Sequence, residues 1–352
     1  MQSLSSLRSK KVLVTGHTGF KGGWLTSMLL QLGAEPIGYS LEPPSAPSFF
    51  VGTGLEDRCK NVTGDVRDLG HLKKVMKVEE PEVVFHLAAQ PLVIRSYLDP
   101  IETFDVNVMG TANVLEAMRS TRSVQACVCI TSDKCYENLE QDYGYKETDR
   151  LGGSDPYSAS KGAAEIVISS YRRSFFRESP KVASARAGNV IGGGDWADKR
   201  IIPDIVGCLT SGKPLVLRNP DSIRPWQHVL DPLNGYLLLA TKMLEGEEET
   251  ADAWNFGPDG DKMPTVRQVA EMMMAAWGRT IPIEVVPDDN YHESKMLRLD
   301  CIKSKSSLDW HPRLNMDRAI GFTVDWYKAW SEGQDMFKIT NNQIETFWRP
   351  SP

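Results

Sequence analysis

Two short stretches carry side chains that can work together chemically. Thr131-Ser132-Asp133-Lys134-Cys135-Tyr136 sets a hydroxyl, a carboxylate and an ammonium side by side directly after an apolar run. Asp155-Pro156-Tyr157-Ser158-Ala159-Ser160-Lys161 sets a phenol and a second ammonium four residues apart. On a helix that spacing puts Tyr157 and Lys161 on one face, and Pro156 suits a first helical turn. An ammonium close to a phenol favours phenolate, bringing a base of reference pKa ~10 toward neutral pH. Tyr157 with Lys161 is therefore the expected proton acceptor, with Ser132 as a third hydrogen-bonding group. The bland alternative is an ordinary helix carrying an exposed lysine.

A third stretch favours the chemical reading. Lys11-Val12-Leu13-Val14-Thr15 is an apolar β-branched run that breaks on Gly16-His17-Thr18-Gly19-Phe20-Lys21-Gly22 and continues as a helical pattern to about Leu32. Such a strand, glycine turn and helix start is suited to a dinucleotide. Gly16 makes the turn, Gly19 lets backbone approach a pyrophosphate, and Gly22 lets the helix pack on the sheet, with Phe20 at the helix start. The spacing G-x-x-G-x-x-G is one residue longer than the G-x-G-x-x-G fingerprint.

The elements that must position these residues alternate. Strands are expected at Lys11 to Thr15, Ala34 to Tyr39, Val83 to Leu87, Gln125 to Thr131 and Val182 to Ala187, with helical patterns between them, including Asp105 to Arg119. This alternation implies an α/β fold with a doubly wound parallel sheet and ligands at the carboxyl ends of its strands. At those ends Asp65 can accept from an adenine amino group while Val66 packs on the ring, and Ala88, Ala89 and Gln90 are small or polar enough for a cofactor to lie close. Ser40, with Glu42 two residues on, stands where an acidic residue commonly holds a ribose, a weak pointer to NAD rather than NADP. His86 lies inside an apolar run and reads as a core histidine. Asn107 suits a bond to backbone that steadies the sheet. Asp68 reads equally well as a helix N-cap.

Composition narrows the function classes. A chain of 352 residues can bury a large core and carry a second lobe. Its net charge of −6 and lack of a basic stripe argue against a general nucleic-acid binder. Residues Met1 to Lys10 lack the apolar core of a signal peptide, and no apolar run reaches membrane-spanning length, so a cytoplasmic enzyme is expected. None of the six cysteines stands at zinc spacing, and no metal is expected; Cys127 and Cys129 read as small core residues of a strand.

The glycine turn with Ser132, Tyr157 and Lys161 resembles the extended short-chain dehydrogenase/reductase superfamily across nearly the whole chain. Ser132-Asp133-Lys134 is similar to the point where its nucleotide-sugar 4,6-dehydratases carry a hydroxyl, an acid and a second acid/base residue. Together with Ala187-Gly188-Asn189-Val190-Ile191-Gly192-Gly193-Gly194-Asp195-Trp196 and Arg224-Pro225-Trp226-Gln227-His228-Val229, it resembles the branch acting on CDP-glucose.

The resemblance implies NAD as cofactor, and C4 oxidation followed by loss of water across C5 and C6 and return of hydride to C6. Tyr157, helped by Ser132 and Lys161, would take the 4-hydroxyl proton, and Asp133 would be the acid. Lys134 stands where many dehydratases have Glu; it is either the base or a partner of Asp133. Beyond Ala187 the alternating pattern loosens, so a Rossmann domain is expected over 1–187 with parts of 225–260, and a smaller α/β lobe for the nucleotide sugar over 188–224 and 261–352. Asn189, Arg200, Arg218 and Arg224 are its expected diphosphate donors, with His292 a further substrate contact. It would contain helices at Thr265 to Trp277 and Asp317 to Trp330 and a strand at Ile283 to Val286. Trp277, Trp326 and Trp330 read as packing residues. A homodimer or higher oligomer is implied, through the helices that follow Asp105 and Tyr157. A dehydratase or epimerase for another nucleotide sugar, or a catalytically silent dinucleotide-binding regulator, stay open.

Overall fold

In the computed structural model, which describes residues 2–141, 143–260, 263–286 and 297–349, the apolar runs form parallel strands buried on both faces, with the exposed edge strand β3 added to them. They are β1 (Lys11–Thr15), β2 (Glu35–Ser40), β3 (Lys60–Thr63), β4 (Val83–His86), β5 (Ala126–Ile130) and β6 (Lys181–Ala187). Three short strands follow, β7 (Val190–Ile191), β8 (Leu215–Leu217) and β9 (Gln227–His228), then β10 (Ala253–Phe256) and β11 (Ile283–Val285). Seven strands make one sheet in the order β10-β6-β5-β4-β1-β2-β3, and the pairs β7-β9 and β8-β11 stand apart from it. Register sets Thr15 opposite His86 on one side and opposite Tyr39 on the other. The chain winds outward in both directions from β1, so the ends of β1 and β4 open a crevice at the switch point.

Alternate strand residues feed two cores. Val12, Val14, Phe85, Val128 and Ala185 enter one cluster, and Leu13, Val84, Cys127, Cys129 and Val182 enter the other. Cys127 and Cys129 are thus core residues, and all six cysteines are free thiols. His86 is buried between Thr15 Oγ1 (2.8 Å) and Thr111 Oγ1 (3.0 Å), and burial lowers its pKa to about 3.

Several expected elements shift by a residue or two. The first helix is Phe20–Gln31, and Thr265 and Gln268 form a capping box that starts helix Val266–Trp277. The expected helix Asp105 to Arg119 opens instead with a π turn, Asp105–Met109, before Gly110–Arg119. Within that turn Asn107 exchanges bonds with the Gln90 backbone, accepting from N at 2.8 Å and donating to O at 3.1 Å. Two sheet strands, β3 and β10, lie outside the expected set.

The first core runs without a break into the C-terminal part of the chain, where Trp326 and Phe347 join it. Gln31 Nε2 donates to Asn341 Oδ1 at 2.8 Å, tying helix Met336–Trp348 to the helix after β1. Among the described residues, no helix is long and apolar enough to cross a membrane.

Helix Leu230–Leu244 is fastened to the following segment by buried Asp231, whose Oδ1 accepts from Arg313 N at 2.6 Å. Burial raises this carboxyl to about 7, against the pull of the Arg313 and Leu314 N–H groups. A raised pKa stabilises the fold at low pH, and that contribution is lost as pH rises through about 7. Asp231→Asn, which mimics the protonated form, should therefore gain on the wild type by on the order of 3 kcal/mol more at pH 8.5 than at pH 5. Denaturant melts at the two pH values check this, and an equal difference at both would contradict it.

Candidate active site

The glycine turn after β1 is shaped by close backbone approaches. Gly16 has a φ of 76°, and a Cβ there would meet Ala88 N at 2.8 Å; one on Gly22 would meet Gly16 O at 2.1 Å. Neither position admits a side chain. Helix Phe20–Gln31 begins at Gly19 with no side-chain cap, which leaves its first N–H groups and positive dipole end for an anion. Half-buried Ala88 and Ala89 follow β4, and Ala88 N donates to Thr15 Oγ1 at 3.2 Å. Gln90 is held by Asn107 and by its own Nε2 bond to Thr103 Oγ1 at 2.9 Å. This cradle, too tight for a Cβ and lined by small residues, fits a dinucleotide pyrophosphate.

On the adenine side the geometry departs from expectation. Val66 is buried in the second core beneath Gly110, where a Cβ would come within 2.7 Å of Val66 Cγ2. Asp65 already accepts from Arg67 Nη2 at 2.6 Å, Nε at 2.9 Å and N at 2.9 Å, and these bonds lower its pKa. An adenine amino group would have to share that carboxylate. Ser40 ends β2 with its Oγ 2.8 Å from Thr18 Oγ1.

The reactive side chains gather where β5 ends. Ser132 caps one 3-10 turn, Asp133–Cys135; its Oγ accepts from Lys134 N at 3.2 Å and donates to Asp133 Oδ1 at 2.9 Å. Asp155 caps helix Pro156–Phe175, accepting from Ser158 N at 2.9 Å, and the Tyr157 N–H donates to Ser96 Oγ at 3.1 Å. The Tyr157 side chain then reaches Ser132, with which it shares a hydrogen bond.

Electrostatics alter the expected division of labour. Burial pushes the Tyr157 phenol up to about 12; the Ser132 bond and the Arg200 guanidinium pull it down, and Asp133 and Asp155 push it further up. Lys161 was expected to be the cation beside Tyr157. Its Nζ donates to the Ile130 carbonyl at 3.5 Å, and Arg200, from the segment after β7, is a further cation that pulls the phenol down. Burial lowers Lys161 to about 8, against the opposing charge of Glu165. Asp133 is 5% exposed, and burial raises its pKa in spite of Lys134, the Ser132 bond and Lys21. Its Oδ2 occupies the space beside Gly188, 3.0 Å from where a Cβ would stand.

Of the expected donors, Arg200 pairs with Asp195 Oδ2 at 3.0 Å. Arg218 Nη2 donates to the neighbouring Lys199 carbonyl at 3.4 Å, and Arg224 Nη1 to the Ile223 carbonyl at 3.1 Å. The Asn189 carbonyl accepts from Gln227 N at 3.0 Å, beside the β7-β9 pair. His292 lies outside the described residues. Two residues escaped the sequence reading. Lys21 is brought down to about 8 by burial and by the charges of Lys161 and Arg200, while Asp133 draws it up. Its signal was a cation inside the glycine turn. Asp195, the brace of Arg200, stood within the Ala187–Trp196 stretch with nothing to mark its role. Among the described residues, no group of His, Cys, Asp or Glu could hold a metal ion.

Gly22→Ala should cost about 1 to 3 kcal/mol through overpacking and weaken dinucleotide binding at least tenfold. Thermal melts with and without NAD read both effects, and an unchanged melting temperature in each would contradict the cradle.

Comparison with known proteins agrees with this geometry. The family model described as GDP-mannose 4,6 dehydratase matches residues 13–322. The chain is 44% identical to a CDP-glucose 4,6-dehydratase of Salmonella typhimurium, over 97% of this chain and 96% of that one. It is 28% identical to a dTDP-glucose 4,6-dehydratase of Streptomyces antibioticus, over 91% and 94%. Among solved structures, the fold matches a dTDP-glucose 4,6-dehydratase of Streptomyces venezuelae with NAD and TYD bound at TM-score 0.79 and 23% identity, covering 93% of this chain and 99% of that one. It also matches the epimerase Mth375 of Methanothermobacter thermautotrophicus at TM-score 0.82 and 23% identity, covering 94% and 96%. The chain belongs to the GDP-mannose 4,6 dehydratase family, the nucleotide-sugar 4,6-dehydratases among the extended short-chain dehydrogenases/reductases.

Proposed function

We propose that the protein is an NAD-dependent hydro-lyase that converts CDP-D-glucose to CDP-4-dehydro-6-deoxy-D-glucose. The observation that carries this reading is the Asp133-Lys134 pair beside Ser132 and Tyr157, in a chain 44% identical along nearly its whole length to a CDP-glucose 4,6-dehydratase. Gly16, Gly19, Phe20 and Gly22 would hold the pyrophosphate, Asp65 the adenine while sharing its carboxylate with Arg67, with buried Val66 behind it, and Ala88, Ala89 and Gln90 the crevice floor. Tyr157 and Lys161 would meet the nicotinamide ribose. Bound there, NAD would supply the hydride acceptor for C4 and the hydride donor for C6.

The side chains do the rest. Tyr157, through its bond with Ser132 and under the Arg200 charge, takes the proton of the 4-hydroxyl. The 4-ketone acidifies the C5 hydrogen, which Lys134 removes as a proton and gives back to C5 as hydride reaches C6. Asp133, whose pKa burial raises, is the acid that gives a proton to the departing 6-hydroxyl. Asn189, Arg200, Arg218 and Arg224 hold the diphosphate, where guanidinium groups can bind oxygens in pairs. We assign the nucleotide-sugar lobe to 188–224 and 261–352 and the cofactor domain to 1–187 with parts of 225–260. Exposed Leu98, Ile101, Met109 and Ile166, on the segments before and around the π turn and on the Tyr157 helix, support a homodimer through these helices. Six free thiols fit a cytoplasmic enzyme.

Incubation with NAD and CDP-, UDP-, dTDP- or GDP-glucose, followed by mass spectrometry, should show loss of one water from the CDP sugar. Water loss from a different sugar alone would overturn the CDP assignment, and bound NAD with no sugar changed would favour a regulator. Lys134→Met should slow elimination by roughly 10²-fold or more while a 4-keto sugar still forms; near-normal dehydration would reduce Lys134 to a partner of Asp133. In light scattering, Ile101→Asp with Ile166→Asp should give a monomer where the wild type is a dimer, and an unchanged mass would exclude this surface.

A further inference from the structure

Beneath the reactive turn lies a buried polar set that the proposed reaction leaves unused. Glu165 stands one helical turn after Lys161, and its carboxylate bonds only to groups on β6 and at the end of β5. Oε1 accepts from Thr131 Oγ1 at 2.5 Å, and Oε2 accepts from Ser184 Oγ at 2.7 Å and Arg186 Nη2 at 2.7 Å. Thr131 immediately precedes Ser132. Arg186 Nη1 donates to Tyr136 Oη at 2.7 Å, and Tyr136 Oη donates on to Asn255 Oδ1 at 2.7 Å. One continuous set of bonds therefore grips both ends of the turn that carries Ser132, Asp133 and Lys134, and ties it to the helix that carries Tyr157 and Lys161. A buried ion pair such as Glu165–Arg186 is a weak source of stability compared with apolar packing, and positioning is the better account of it.

We propose that Glu165 is a positioning residue for the dehydration, holding the Thr131–Tyr136 turn against the Tyr157 helix and supplying the counter-charge to Lys161. This rests on the function proposed above. The titratable groups around Lys161 are Tyr157 and Glu165 on its own helix, Cys129 on β5, Cys135 after it, Lys21 on the helix after β1, and His86 on β4. His86 is neutral near pH 7, burial pushes the Cys135 thiol well up, and Lys21 repels. Burial raises Glu165, but the Arg186 charge and the bonds from Arg186, Thr131 and Ser184 outweigh it and hold the carboxyl below its ordinary value. Glu165 is thus the one carboxylate in this group, and removing its charge moves the Lys161 midpoint down.

The test is an NMR titration of Lys161 in protein labelled with ¹³C at lysine Cε, assigned with Lys161→Arg, run beside the alkaline limb of kcat/KM. Wild type, Glu165→Gln and the charge-balanced Glu165→Gln with Arg186→Met are compared. The expected result is a Lys161 midpoint lowered by about one unit or more, tenfold in proton affinity, with the alkaline limb following it. An unmoved midpoint in a folded variant overturns the proposal. So does failure of both variants to fold, since the set would then hold the fold rather than the site. If the wild type dehydrates no sugar, the proposed reaction fails, and the midpoint still decides whether Glu165 sets the charge of Lys161.

Discussion

Burial of charge at the end of β5 is the constraint on which the rest of the structure depends. Asp133 and Lys161 sit where water is largely excluded, with half-buried Lys21 and Arg200 facing them. Charge removed from water must be matched, hydrogen-bonded or neutralised. The protein uses all three: Asp133 shifts toward its protonated form, Lys161 and Lys21 fall toward neutrality, and Arg200 is braced by Asp195. Groups poised in this way can exchange protons near neutral pH, which an acid, a base and a phenol on one sugar ring require.

The fold meets that constraint by bringing distant segments to one place. Paired β4 and β5 deliver the small residues of the crevice and the reactive turn, β1 delivers the glycine cradle, and the segment beyond β7 brings Arg200 across from the other part of the chain. Tyr327, on helix Met316–Ser331, donates to the Asp195 carbonyl at 2.5 Å, so the C-terminal helices help fix the brace of Arg200. A core shared between the cofactor-binding and C-terminal segments makes this coupling rigid.

Legibility in the sequence followed physical range. Strands β1, β2, β4, β5 and β6 declare themselves as apolar runs because both their faces are buried. The edge strand β3, Lys60–Thr63, is largely exposed and polar, and β10 is four residues long, so neither carries a periodic signal. The π turn at Asp105–Met109 is invisible to helical periodicity. The glycine turn and the 131–136 and 155–161 stretches could be read because their geometry is local. The pull of Arg200 on Tyr157 could not: Arg200 lies far along the chain, and only folding brings it to the phenol. The capture of Asp65 by Arg67 and the place of Glu165 beneath Thr131 likewise depend on side-chain geometry that spacing alone does not specify.

The central claim is that one pocket carries out oxidation, elimination and hydride return without releasing its intermediates. The most direct measurement is conversion of an equal mixture of CDP-glucose deuterated at C4 and CDP-glucose carrying ¹³C throughout the glucose ring, with the products analysed by mass spectrometry. Deuterium should appear at C6 of the unlabelled-carbon product alone. Deuterium in the ¹³C product, or its loss to solvent, would show that hydride leaves the molecule it came from and would contradict a single closed site.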